Sequence, residues 1–204
     1  MIVPKERAAR PPQAIALNKL LLVEGETPSH FFEAFATNLG ISESIEIRSY
    51  GGKDQLATYL RTIAAGSDFR TSVASLGIIR DSEDDPGAAK QSVESAIMAA
   101  NIRSNVEVKV ALLPDDSTPG MIETLCLKTI EGLPVLECIE NLVACLEAKE
   151  LPLTVGIIRA KHVAQIYLAT LKEAQMFPGV AAYRGAWPFD HSALDTLRAF
   201  LRSL

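Results

Sequence analysis

A chain of 204 residues with 48% hydrophobic and 22% charged side chains is long enough to bury one sizeable core and too apolar to be disordered as a whole. Its apolar runs are about strand length, far below the ~20 residues that span a bilayer, so no membrane crossing is expected. The formal net charge of −5 weakly repels polyanions, so any contact with nucleic acid must come from a local basic patch or a bound cation.

Residues 1–17 read as an N-terminal arm. Lys5, Arg7 and Arg10 stand beside Pro11 and Pro12, but no continuous apolar segment of the kind a secretory signal needs follows them, and a cytoplasmic location is expected. Asn18 to Val23 is an apolar run ended by Glu24-Gly25 and reads as a strand; Phe31, Phe32, Phe35 and Leu39 then recur at helical spacing. Ile45 to Tyr50 reads as a second strand, Gly51-Gly52 as its turn, and Leu56, Tyr59, Leu60 and Ile63 as one face of a second helix. Val73 to Ile79 is a third strand, Ala88 to Ala100 a third helix, and Val106 to Leu113 a fourth strand. Beyond Met121 the pattern is helical: Leu125 with Ile130, then Leu142 with Cys145 and Leu146, then Val163, Ile166, Tyr167 and Leu171, with a closing helix from Ala193 to Leu204. Cys126, Cys138 and Cys145 lack a C-x-x-C pair and sit in these apolar stretches, so buried free thiols are expected.

Strands that alternate with helices favour a parallel sheet, because each crossover helix must bury its apolar stripe on a sheet face. The expected fold is therefore α/β: an open, mainly parallel four-stranded sheet with helices on both faces and a helical C-terminal extension. No Gly/Ser-rich linker divides the chain, so residues 18–204 read as a single domain, with a core over 18–130 and the extension over 131–204.

In such sheets ligands gather outside the carboxyl ends of the strands. Here those ends carry Glu24 with Glu26, then Asp81, Glu83, Asp84 and Asp85, then Asp115 and Asp116. Crowded carboxylates raise one another's pKa unless a cation compensates them, and hard oxygen donors suit Mg²⁺ or Mn²⁺. Local structure offers a competing account: Asp85-Pro86 matches a helix cap followed by proline at the first helical position, as do Thr27-Pro28 and Thr118-Pro119, while Glu83 and Asp84 can favour a helix N-terminus from a solvated loop. Capping does not account for Asp81, directly behind an apolar strand, nor for Glu24, followed by a glycine that leaves room for a ligand. Lys53, behind Gly51-Gly52 at an apparent helix start, is a candidate phosphate-binding residue, although an ordinary turn with an exposed lysine fits as well. Among Arg159, Lys161 and His162, Lys161 is the best candidate to neutralise phosphate charge, against a plain solvated helix face. Zinc and serine-hydrolase patterns and the glycine-rich nucleotide fingerprints are absent.

Leu21-Leu22-Val23-Glu24-Gly25 followed by Arg80-Asp81-Ser82-Glu83-Asp84-Asp85 resembles the glutamate and D-x-D motifs of TOPRIM domains, found in primases, topoisomerases and OLD-type nucleases. More closely, Val23-Glu24-Gly25-Glu26-Thr27, Gly51-Gly52-Lys53-Asp54, Gly77-Ile78-Ile79-Arg80-Asp81, Gly120-Met121-Ile122-Glu123 and Pro188-Phe189-Asp190 resemble the DUF3226 family of stand-alone TOPRIM-like proteins, over most of the chain from Lys19 to Leu204. The resemblance implies a TOPRIM-like fold, Glu24 as metal ligand or general acid/base, Asp81 and Glu83 as the D-x-D pair, and Glu123 as a further ligand. Glu24, Asp81 and Lys161 are then the expected catalytic residues, and Glu26, Asp85 and Asp115 additional acidic ligands. The implied activity is that of a Mg²⁺-dependent nuclease or related phosphotransfer enzyme acting on nucleic acid. Two positions depart from the pattern: the second D-x-D position is Glu83, and Pro28 stands where nuclease-type relatives often carry an acid, so a second metal is not implied. Pro28 and the acidic net charge favour another class, a non-catalytic binding module working with an ABC-like ATPase partner. The sequence leaves the oligomeric state open, a homodimer included.

Overall fold

The computed structural model describes residues 14–149 and 157–204. Four strands form one sheet: β1 (Lys19–Val23), β2 (Glu46–Ser49), β3 (Ser75–Asp81) and β4 (Glu107–Leu113). The order is β2-β1-β3-β4 and every neighbouring pair is parallel. Between strands the chain is helical, with α1 (Glu26–Asn38), α2 (Leu56–Ala65), α3 (Ser67–Ser72) and α4 (Pro86–Ala100). After β4 come α5 (Ile122–Thr129), α6 (Pro134–Glu147), α7 (Ile158–Thr170), α8 (Pro178–Tyr183) and α9 (Asp195–Ser203). The expected open, four-stranded α/β sheet is present, and it is parallel throughout.

Alternation along each strand splits the interior into two layers. Leu21, Val23, Ile79, Ala111 and Leu113 point to one face, where they pack with Phe31, Phe32 and Phe35 of α1 and with buried residues of α5 to α9. Leu20, Leu22, Leu76 and Ile78 point to the other, against Leu60 of α2, Phe69 of α3 and Val93 of α4. Burying a side chain of this size contributes about 1.5–3 kcal/mol over leaving it exposed, so both layers are needed to hold the sheet. The helices beyond residue 131 share the layer of α1. Their packing includes Trp187, which is fully buried and whose indole N–H donates to the Pro178 carbonyl at 2.9 Å. Helix α8 lies so close to the first turn of α1 that a Cβ on Gly179 would stand 2.2 Å from the Thr27 carbonyl oxygen.

The outer strands β2 and β4 each begin with a glutamate and a base two residues later. The Arg48 Nε donates to Glu46 at 2.7 Å, and Lys109 lies 3.1 Å from Glu107. Glu46 also accepts the backbone N–H groups of Ala16 and Leu17, tying the described part of the N-terminal arm to β2; residues 1–13 of that arm lie outside the described residues.

Some local expectations need correction. Cys126 is buried, but Cys138 and Cys145 are exposed, because α6 turns Ile139 and Val143 inward and leaves Leu142 and both thiols outside. Helix α1 starts at Glu26, capped by Gly25, so Thr27-Pro28 lies inside its first turn, and α5 is capped at Met121 rather than Thr118. Asp85 does cap α4: its Oδ1 accepts the Ala88 N–H at 2.9 Å, with Pro86 at the first helical position. Asp85→Ala should therefore cost about 1 kcal/mol, a fall of about 2–4 °C in melting temperature by circular dichroism. Among the described residues no helix is long and apolar enough to cross a membrane.

Candidate functional site

Strand order reverses between β1 and β3, so the connections leaving their carboxyl ends run to opposite faces and open a crevice between them. Val23 is in register with Ile79, which brings Glu24 and Asp81 to neighbouring strand ends. Both line one cavity of about 300 Å³, together with Gly25, Glu26, Thr27, Pro28, Gly51, Gly52, Ile122, Glu123 and Lys161. Gly25 has φ +87°, a conformation open to glycine and strained for other residues, and it lets the chain turn directly from Glu24 into α1.

Alternation decides which side each acid takes. Asp81 follows the parity of Ile79 and turns toward α5, where its Oδ1 accepts the Ile122 N–H at 3.0 Å near Glu123 and Lys161. Arg80 follows Ile78 to the other layer. There its Nε lies 3.7 Å from Glu24 Oε2, beside Tyr50, whose hydroxyl donates to the Ile79 carbonyl at 3.4 Å. The cavity therefore straddles both layers.

Three carboxyls are pushed upward here. Burial raises Glu24, the Arg80 guanidinium opposes that rise, and the charge of Glu83 adds to it. Asp81 stands well above its ordinary 3.8, first through burial and then through the charges of Glu24 and Glu123, against the Ile122 N–H and Lys161. Glu123, 8% exposed, is raised by burial, with its own N–H and Lys161 opposing. Oε2 of Glu24 and Oε2 of Glu123 are buried without a hydrogen-bond partner, as are Nε and Nη1 of Arg80.

The remaining candidates are placed differently. Lys161, exposed in the first turn of α7, lines the cavity, and Glu26 is an exposed residue of its wall. Lys53 opens a short 3₁₀ turn and donates to both carboxylate oxygens of Glu83, at 2.9 and 3.2 Å, so that Glu83 faces a lysine rather than the cavity. Asp85 is occupied by its cap. Partial burial pushes the Asp115 carboxyl up, but hydrogen bonds from Ser117, Thr118 and Lys128 outweigh it and hold that group well below the usual carboxylate range. Neither Asp85 nor Asp115 lines the cavity. Arg80 and Tyr50 were not among the sequence candidates. The signal for Arg80 was a charged residue in an otherwise apolar strand, which must find a partner where it is buried.

Among the described residues no three His, Cys, Asp or Glu side chains are gathered into a preformed metal cage. The acids of the crevice thus do not fit an ion fully enclosed by protein, such as a structural zinc. They fit a hydrated hard cation of the Mg²⁺ kind, which keeps several waters and takes one or two carboxylates; of the two buried oxygens without a hydrogen bond, that of Glu24 faces Arg80 while that of Glu123 has no such cation.

Compared with known families, residues 18–204 match the family model described as Protein of unknown function (DUF3226). No curated protein and no solved structure matches the chain.

Proposed function

The chain belongs to the DUF3226 family, and from the crevice between β1 and β3 we propose that it is a TOPRIM-like, Mg²⁺- or Mn²⁺-dependent nuclease or related phosphotransfer enzyme of the cytoplasm. One observation carries this reading: Glu24, Asp81 and Glu123 converge on a single cavity, with Oε2 of Glu123 buried and without a hydrogen-bond partner. Gathering like charges out of water is costly unless a cation joins them, and Arg80 compensates Glu24 alone at close range. Glu24 and Asp81 would hold the ion, with Glu123 beside them, and the ion would supply polarisation of the phosphodiester and a lowered pKa of water. Glu24, whose upward shift Arg80 opposes, accepts the proton of the nucleophile. Lys161, at the cavity wall, neutralises a phosphate oxygen from outside the acidic cluster.

The neutralisation of Lys53 by Glu83 leaves few free cations near the crevice among the described residues and supports a second reading, a non-catalytic module that acts with an ABC-like ATPase partner. The two are separated by incubating end-labelled single- and double-stranded DNA and RNA with the protein in Mg²⁺, Mn²⁺ or EDTA. The enzyme reading expects metal-dependent cleavage that Glu24→Gln reduces by about 100-fold or more. Intact substrates under every condition, with stable co-elution with the ATPase, would leave the module.

A further inference from the structure

Lys53 and Glu83 join two loops at the end of the crevice, the one that follows β2 and the one that follows β3. Glu83 reaches the lysine from a backbone that a residue with a Cβ seldom adopts, at φ +51°, in the left-handed region. Two backbone hydrogen bonds fix it there, from its N–H to the Gly120 carbonyl at 2.8 Å and from the Gly120 N–H to its own carbonyl at 2.7 Å. An exposed ion pair between loops adds little to stability, so the strength of the pair does not explain the strained placement. Its effect on Lys53 does: the ammonium is already turned onto an anion, in one contact forked between both carboxylate oxygens.

Resting on the phosphodiester reading above, we infer that Glu83 is a built-in substrate mimic, an anion seated on Lys53 that a backbone phosphate of nucleic acid must displace. A carboxylate and a phosphodiester each spread one negative charge over two oxygens, so they compete for the same ammonium. The contact is autoinhibitory. A lone phosphate gains little by breaking it, whereas a polynucleotide that also engages Lys161 holds another of its phosphates at high effective concentration near Lys53. Glu83 therefore selects for polymers over mononucleotides.

Glu83→Gln tests this, since it keeps the shape and removes the charge. Binding of a fluorescein-labelled single strand of about 16 nucleotides is followed by anisotropy in Ca²⁺ at several salt concentrations. The variant should bind about two- to fivefold tighter, the most that freeing a lysine from an exposed pair can yield. The slope of log K against log salt should steepen by about 0.7, the signature of one more phosphate contact on a single strand. In a Lys53→Met background neither change should occur. Equal gain in that background reduces the effect to general charge and overturns the proposal. So does an unchanged affinity, and so does loss of Mg²⁺-dependent stabilisation in Glu83→Gln, which would make Glu83 a metal ligand. Wild-type binding without these effects overturns the mimic alone; no binding by any variant, with melting indifferent to Mg²⁺, overturns the phosphodiester reading and the mimic with it. Should Glu83→Gln fail to fold, Glu83→Asn, a residue better suited to positive φ, carries the same test.

Discussion

Asp81→Asn is expected to raise the melting temperature of the metal-free protein, or leave it unchanged, while removing most of the stabilisation that Mg²⁺ gives the wild type. The asparagine keeps an oxygen for the Ile122 N–H and removes a buried charge that Glu24 and Glu123 oppose. The pH dependence carries the same sign. A carboxyl whose folded pKa exceeds its ordinary value of 3.8 contributes stability below that value and loses it as pH rises through the higher one, so the metal-free wild type should weaken over that window. Asp81→Asn should flatten this fall without abolishing it, because Glu24 and Glu123 are raised too. Mg²⁺ at about 100 times its dissociation constant should stabilise the wild type by roughly 2.7 kcal/mol, or about 5–10 °C, and the gain should grow with pH as the carboxyls ionise. Thermal melts across pH, with and without Mg²⁺ or Mn²⁺, decide the matter. A wild-type melting point indifferent to either ion at about 10 mM, with a destabilised Asp81→Asn, would make Asp81 a structural acid and leave the binding module.

Gly179→Ala should lower the melting temperature by about 6–12 °C, a cost of about 3 kcal/mol, at the upper end for an added methyl. The obstacle is backbone rather than a mobile side-chain tip: the new Cβ would stand 2.2 Å from the Thr27 carbonyl oxygen and 3.0 Å from the Cβ of His30. Helix α8 must then back away from α1 and loosen the layer around Trp187. Thr27 lines the cavity, so the Mg²⁺-induced gain should shrink as well, although no acid has been touched. Gly52→Ala, whose Cβ meets nothing within 4 Å, is the matched control and should change stability little. Calorimetry showing Gly179→Ala and Gly52→Ala melting together would refute the close packing of α1 and α8.

Strands β1 and β3 were legible as short apolar runs and β2 and β4 by polar and apolar residues in alternation, and the succession of strands and helices was enough to imply a parallel sheet. Glu24 and Asp81 were legible for the same reason, as acids where an apolar run stops. Helices α3 and α8 were not, since six residues hold too few turns for a period to register. The stripe of α6 was misread because apolar residues occupy more than one face, and only packing selects Ile139 and Val143. Glu123 entered through family resemblance alone: nothing around it in the chain says that α5 will stand over Asp81. The partner of Glu83 was hidden because Lys53 lies thirty positions away and the meeting depends on a left-handed turn.

The paired charges on the outer strands bear on how far the sheet extends. An unpaired strand edge is a template on which another extended chain can add, which is the first step of aggregation. At β2 a newcomer would have to disrupt the Glu46–Arg48 pair, which also anchors Ala16 and Leu17, and at β4 the Glu107–Lys109 pair, whose lysine also donates to the Ser203 carbonyl. Neither guard touches the crevice, so solubility and site chemistry are free to change separately, and replacing the edge charges with apolar residues would invite strand addition while leaving Glu24 and Asp81 where they are.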